Sequence, residues 1–168
     1  VMETSVRFDG TSFRTMLRND AYWFSRLGFL LERADATARI LDFLRDRRPD
    51  GPCLVVDLEV IAENYRLFAR SMPDTRIFYA VKANPAPEIL RLLASMGSSF
   101  DCASVAEIEM AMDAGASADR ISYGNTIKKE RDILRAFELG IRLFAIDCVE
   151  EAEKIGRVAP GSKVFCRV

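Results

Sequence analysis

The 168 residues carry 24 basic and 25 acidic side chains, a net charge of −1, 49% hydrophobic residues and no histidine. That balance fits a globular domain and gives nucleic acid or an anionic membrane no basic face to grip, while the missing imidazole excludes histidine metal sites and any Ser-His or Cys-His nucleophile within these residues. No run reaches the ~18 apolar residues of a membrane span, no basic-then-apolar leader is evident, and Cys53, Cys102, Cys148 and Cys166 lack CxxC spacing, so they read as reduced thiols of a cytoplasmic protein.

Residues 1–50 read as a partly helical or irregular N-terminal extension. Residues 11–17 and 21–31 mix apolar and polar side chains without a clean period. Asp35 is a candidate cap for a helix over residues 36–47, with Ile40, Leu41, Phe43 and Leu44 as its apolar stripe. Arg45 to Arg48 would complement the dipole at its end. The stretch Arg47-Arg48-Pro49-Asp50-Gly51-Pro52 is rich in turn signals and marks a boundary near residue 50.

Beyond that boundary the pattern becomes regular. Apolar, β-branched and aromatic runs begin at Leu54 (LVVDL), Ile77 (IFYAV), Ser99 (SFDCA), Ile121 (ISYG), Leu143 (LFAID) and Val164 (VFCRV), at spacings of 23, 22, 22, 22 and 21 residues. Helical periodicity fills residues 59–71, 88–96, 104–114, 129–139 and 150–158. Gly97, Gly115 and Gly140 stand where helices are expected to end. Strands alternating with helices predict an α/β fold of βα units with about six parallel strands. Right-handed crossovers leave two architectures, an open doubly wound sheet or part of a closed TIM-like barrel. Asp57-Leu58-Glu59 occupies the place where a nucleotide-binding open sheet carries its glycine-rich loop, which weakens that reading. Residues 51–168 are therefore expected to be a truncated barrel portion. Val1 and the apolar run ending at Val168 read as cut ends.

In parallel α/β proteins chemistry gathers at the carboxyl ends of the strands. The strand expected at 77–81 ends on Lys82. Alternation puts Phe78, Ala80 and Lys82 on one face and Ile77, Tyr79 and Val81 on the other, with Ala80 leaving room beside the lysine stem. That amine is either desolvated, which frees it for Schiff-base chemistry, or it snorkels to solvent. Asp101, Asn125, Asp147 and Arg167 fall at the following strand ends and are expected on the same rim. Glu107 also completes a capping box, Ser104-Val105-Ala106-Glu107, and Asp147 is equally a cap for the helix after it. The run Lys128-Lys129-Glu130-Arg131-Asp132 reads as a solvated helix start.

Taken together, FYAVKAN at 78–84, GSSFDCASVAEIE at 97–109 and ISYGNTIKKERDI at 121–133 resemble the ornithine decarboxylase group of the fold-type III, alanine racemase-like PLP enzymes. CLVVDLEVIAENY at 53–65 and LFAIDC at 143–148 fit the same pattern, so the resemblance covers about residues 47–168. The FDCAS form is nearer to ornithine/lysine decarboxylases than to diaminopimelate or arginine decarboxylases. The resemblance implies a PLP-binding TIM-like barrel followed by a β-domain that completes a shared site in a homodimer. The implied reaction is decarboxylation of a basic amino acid, ornithine or lysine, to a diamine in polyamine biosynthesis. By position, Lys82 matches the lysine that carries PLP, and Asp101 and Glu107 match acids near it. Arg167 matches an arginine near the active-site floor, and Ala80 a small residue beside the cofactor. The family's ring-stacking histidine, phosphate loop and partner-subunit residues are implied to lie beyond Val168, so the chain alone is expected to be inactive. The alternative is a non-catalytic homologue that acts as a binding partner, as antizyme inhibitors do. Retention of Lys82 weighs against it.

Overall fold

The computed structural model describes residues 20–47, 51–52 and 54–167. The chain divides into two compact units, Val1–Val56 and Asp57–Val168.

The first unit contains helix α1 (Asp20–Arg47). No break occurs at Asp35, which lies mid-helix with its carboxylate 3.3 Å from Arg39, one turn on. The stretch has no proline and a single glycine, and its Ala, Leu, Arg and Glu residues propagate a helix readily once it is begun. A clean period is missing because apolar side chains lie on several sides: Trp23, Phe24, Leu27, Leu31 and Leu41 are all exposed. The expected segment 11–17 lies outside the described residues. Residues 54–57 form no strand, against the expectation for LVVDL, and Leu54 is 85% exposed. β-branched composition supplies propensity only; a strand also needs a neighbour's backbone to complete its ladder.

The second unit opens on Asp57, whose Oδ1 accepts from the backbone N–H groups of Glu59 (2.9 Å) and Val60 (3.3 Å) and so caps α2 (Leu58–Ser71). There follow β1 (Phe78–Ala80), a 3₁₀ turn (Val81–Ala83), α3 (Pro87–Ser95), β2 (Ser99–Cys102) and α4 (Val105–Asp113). The remaining elements are a 3₁₀ turn (Ala118–Arg120), β3 (Ile121–Tyr123), α5 (Glu130–Glu138), β4 (Leu143–Ile146), α6 (Val149–Val158) and β5 (Lys163–Cys166). The five strands form one sheet in the order β1-β2-β3-β4-β5, every pair parallel. A doubly wound sheet reverses its strand order at a switch point. This one advances in a single direction, as barrel strands do, and so it is a partial barrel, with five strands among the described residues where about six were expected. No described helix is long and apolar enough to cross a membrane.

Proline at the first position pre-sets the start of α3. Its end is fixed by Gly97 at φ +91°, where Gly97 N–H donates to Ala94 O and Ser98 N–H to Leu93 O. Only a left-handed residue closes that pair of bonds, and the same pair recurs after α4 and α5. The helices cover one face of the sheet. Phe100, Cys102, Ile121, Tyr123 and Phe144 point into them and meet Ile89, Leu90, Ile108, Ile133 and Ile155 in one buried core. Alternation turns Ala80, Asp101 and Ser122 to the other face, where they stand side by side in register.

Candidate active site

β1 stops at Ala80, so Lys82 sits on the 3₁₀ turn after the strand and not at its tip. The turn is anchored on both sides. The Tyr79 hydroxyl donates to Asn84 O (3.1 Å), and Asn84 Oδ1 accepts from the Ala86 N–H (3.1 Å). Val81 is fully buried, which fixes the side on which Lys82 emerges. Lys82 itself is exposed, and it opens onto a cavity of about 570 Å³. Ala80, Asp101, Ser122 and Arg167 share that wall, and Phe78, Leu143 and Phe165 make its apolar part. Among the described residues, no ion pair joins Lys82 to Asp101 or Glu107.

The other sequence candidates divide. Asp101 lies on β2 with Oδ1 accepting from the Ser122 hydroxyl at 2.7 Å. Arg167 donates through Nη1 to Gly124 O at 3.0 Å, and its N–H donates to Ile146 O, extending the β4–β5 ladder. Glu107 is not in the cavity wall. Its Oε2 accepts from the Ala103 N–H (2.7 Å) while its own N–H donates to Ser104 Oγ (3.2 Å), the reciprocal capping box of α4. Asn125 is exposed and its carbonyl, not its side chain, is engaged. Asp147 does not cap α6; Cys148 holds that position, without a side-chain hydrogen bond.

Lys128 overturns the reading of its charge run as solvated. It is 3% exposed, with Nζ 3.0 Å from Glu151 Oε1, 2.6 Å from Ala145 O and 2.8 Å from Asn125 O. The Lys128 backbone N–H also donates to Glu151 Oε1, and Lys154 bonds both Glu151 Oε2 and Lys128 O. Burial lowers the Lys128 pKa more than Glu151 restores it. Burial pushes Glu151 upward, but the bonds from Lys154 and Lys128 outweigh it and hold the carboxyl below its ordinary value. Behind the site, burial pushes the Cys102 thiol up to about 12, helped by Glu107 and Asp101, so it is an inert core side chain.

Sequence reasoning missed Ser122 and Gly124. Ser122 had a signal, since Ala80, Asp101, Ser122 and Leu143 are each 21 residues apart, one inward position per βα unit, whereas Gly124 lies outside that series. A Cβ built on Gly124 would lie 2.0 Å from Asp101 Oδ1 and 2.5 Å from its Oδ2. The absent side chain is thus the space that the carboxylate occupies.

The cavity volume lies within the ~300–1,000 Å³ of small-molecule sites. It combines an accessible primary amine, a carboxylate seated in a glycine notch, a guanidinium and an apolar floor. Those are the groups that a carbonyl-bearing, ring-shaped cofactor requires of its reactive side, so the residues present fit pyridoxal 5′-phosphate there.

A family model described as pyridoxal-dependent decarboxylase, pyridoxal binding domain, matches residues 58–168. A second, described as a predicted alpha-helical domain with a conserved ER motif, matches residues 1–71, which include the pair Glu32-Arg33. A lysine/ornithine decarboxylase from Selenomonas ruminantium is 38% identical over 122 residues, 73% of this chain and 31% of its own. Antizyme inhibitor 2 of Xenopus laevis is 30% identical over 141 residues, 84% of this chain and 30% of its own. The crystal structure of SrLDC in complex with PLP and cadaverine superposes with a TM-score of 0.70 at 38% identity, covering 76% of this chain and 33% of that one. The chain spans about a third of the length of these relatives.

Proposed function

The chain belongs to the pyridoxal-dependent decarboxylase family, in its pyridoxal-binding domain, and from that membership we propose that its Asp57–Val168 unit is the lysine-bearing wall of a decarboxylase acting on ornithine or lysine. The family's cofactor is pyridoxal 5′-phosphate. The observation that carries the reading is the meeting of Lys82, Ala80, Asp101 and Arg167, from separate segments, around one cavity. Lys82 is the residue that would hold the cofactor covalently, with Ala80 as the low wall beside it. When bound, the cofactor supplies an electron sink for the charge left as carbon dioxide departs. The chain supplies position and charge. Asp101 favours a cationic amine, Arg167 favours a carboxylate, and a basic amino acid brings both. Phe78, Leu143 and Phe165 keep water from the floor, which strengthens those interactions by lowering the local dielectric.

The product would be a diamine feeding polyamine synthesis, and the complete enzyme a cytoplasmic homodimer. The 168 residues contain no histidine to stack on the cofactor ring, so the chain alone is expected to hold the cofactor only weakly, through Lys82, and not to turn substrate over. The similarity to an antizyme inhibitor supports a second reading, a binding partner that does no chemistry. Equilibrium dialysis against PLP separates them. The wild-type chain should retain PLP, Lys82→Ala should retain at least tenfold less, and carbon dioxide release from ornithine or lysine should stay at background. Equal retention by both proteins contradicts the decarboxylase reading. A stoichiometric complex with a full-length ornithine decarboxylase, without PLP retention, favours the second. Robust turnover overturns the inactivity of the chain alone.

A further inference from the structure

Among the described residues Asp101 is the one carboxylate in the cavity wall, and two residues outside every functional expectation decide where it points. It stands on β2 between Ala80 of β1 and Ser122 of β3, all three in register on the inner face. Ser122 is 2% exposed. Its hydroxyl, buried against the sheet, lies 2.7 Å from Asp101 Oδ1 and 3.5 Å from Phe100 O. A hydroxyl facing an ionised carboxylate donates to it, because the carboxylate is acceptor-only. Two residues further along β3's course, Gly124 presents a bare Cα where any Cβ would come within 2.0–2.5 Å of the whole carboxylate group. The Gly124 peptide cannot retreat, since its N–H donates to Cys102 O at 2.8 Å and its carbonyl accepts from Arg167 at 3.0 Å. The seat therefore has a floor (Gly124), a side anchor (Ser122) and a brace (Arg167). It leaves Oδ2 of Asp101 with no hydrogen-bond partner among the described residues.

We propose that Ser122 and Gly124 are positioning residues of the cofactor site: they seat the Asp101 carboxylate so that its unpaired oxygen is held ready for a donor on the group bound at Lys82. The inference rests on the PLP-binding reading above and goes beyond it by assigning two residues. Neither touches the cofactor in this account. Both act through Asp101, so their effects must vanish when Asp101 loses its charge.

The test is a cycle on the full 168-residue chain, read as PLP affinity by equilibrium dialysis, with thermal unfolding as a check on folding. The variants are Ser122→Ala, Ser122→Thr, Gly124→Ala, Asp101→Asn and the pair Asp101→Asn/Ser122→Ala. Losing a bond to a charged group should weaken PLP binding about tenfold in Ser122→Ala. Ser122→Thr keeps the hydroxyl and should stay within about twofold of wild type. Asp101→Asn should weaken binding, and adding Ser122→Ala to it should change affinity by less than about twofold. Gly124→Ala should match Asp101→Asn; if it fails to fold, the serine cycle decides alone. Ser122→Ala binding PLP as tightly as wild type overturns the inference, as does an undiminished Ser122→Ala effect in the Asp101→Asn background. A folded wild-type chain that retains no PLP overturns the functional reading itself, an outcome distinct from either.

Discussion

Lys82 and Lys128 follow two strands of the same sheet and live in opposite surroundings. Lys82, after β1, is exposed on a short turn beside a cavity, with no carboxylate within ion-pairing distance among the described residues. Lys128, after β3, is enclosed by Glu151 and the carbonyls of Asn125 and Ala145, and its Nζ lies 5.7 Å from the Tyr123 ring centroid. The difference is one of commitment. A buried ammonium is tolerable only when its donors and charge are all satisfied, and Lys128 meets that condition by joining the loop after β3 to β4 and α6. Its donors are then unavailable to a ligand. Lys82 has made no such commitment, and its amine stays exposed at the cavity, as the proposed covalent role requires.

Breaking the buried lysine should have the largest effect on stability. Lys128→Met takes from the Glu151 carboxylate, which is only 2% exposed, one of its two ammonium partners while Lys154 stays, and should cost about 1.5–3 kcal/mol. Lys82→Met, at an exposed turn, should stay within about 0.5 kcal/mol of wild type. Urea midpoints at constant m-value report both, and equal losses in the two variants would abolish the contrast.

Removing both charges sharpens the point. Lys128→Met combined with Glu151→Leu should cost less than the sum of the two single variants, because no buried carboxylate is then left short of a partner and Lys154, only partly buried, can turn to solvent. A double variant as unstable as the sum of the singles would show that the backbone contacts, not the charge pair, dominate.

Acid provides a third lever. Glu151 has a folded pKa below its ordinary value of 4.5. Its contribution is therefore fully present above the unfolded value and is lost as pH falls through the lower folded value. Stability should decline on acidification below about pH 4.5, and Glu151→Gln should flatten that decline, measured as unfolding midpoint against pH. An unchanged acid limb in Glu151→Gln would assign it to other carboxylates.

The smallest effect concerns the cap of α4, made by Ser104 and Glu107. Ser104→Ala should cost about 1 kcal/mol by uncapping α4. Glu107→Gln keeps a side chain that can complete the box and should leave PLP retention unchanged, because Glu107 points into the cap and not the cavity. A large loss of PLP in Glu107→Gln would bring it back to the site.

What the sequence carried was periodic. Five of the six expected strands appear because composition and turn signals agree locally, and Lys82, Ala80, Asp101 and Arg167 fall where parallel sheets expose their ends. What it hid was non-local. The burial of Lys128 depends on Glu151, 23 residues later on another element, so a run of five charges looks solvated from within. α1 escaped a periodicity test because apolar residues surround it. LVVDL had strand propensity without a ladder.

The central claim is that the cavity beside Lys82 receives the cofactor while Lys128 is locked away. Borohydride trapping at sub-stoichiometric PLP, with the modified lysines mapped by mass spectrometry over time, tests it most directly. The account predicts a pyridoxyl adduct forming first at Lys82, ahead of the exposed Lys129 and Lys163, with Lys128 unmodified until the chain is denatured. Labelling of Lys82 no faster than Lys129, or modification of Lys128 in the folded chain, would contradict it.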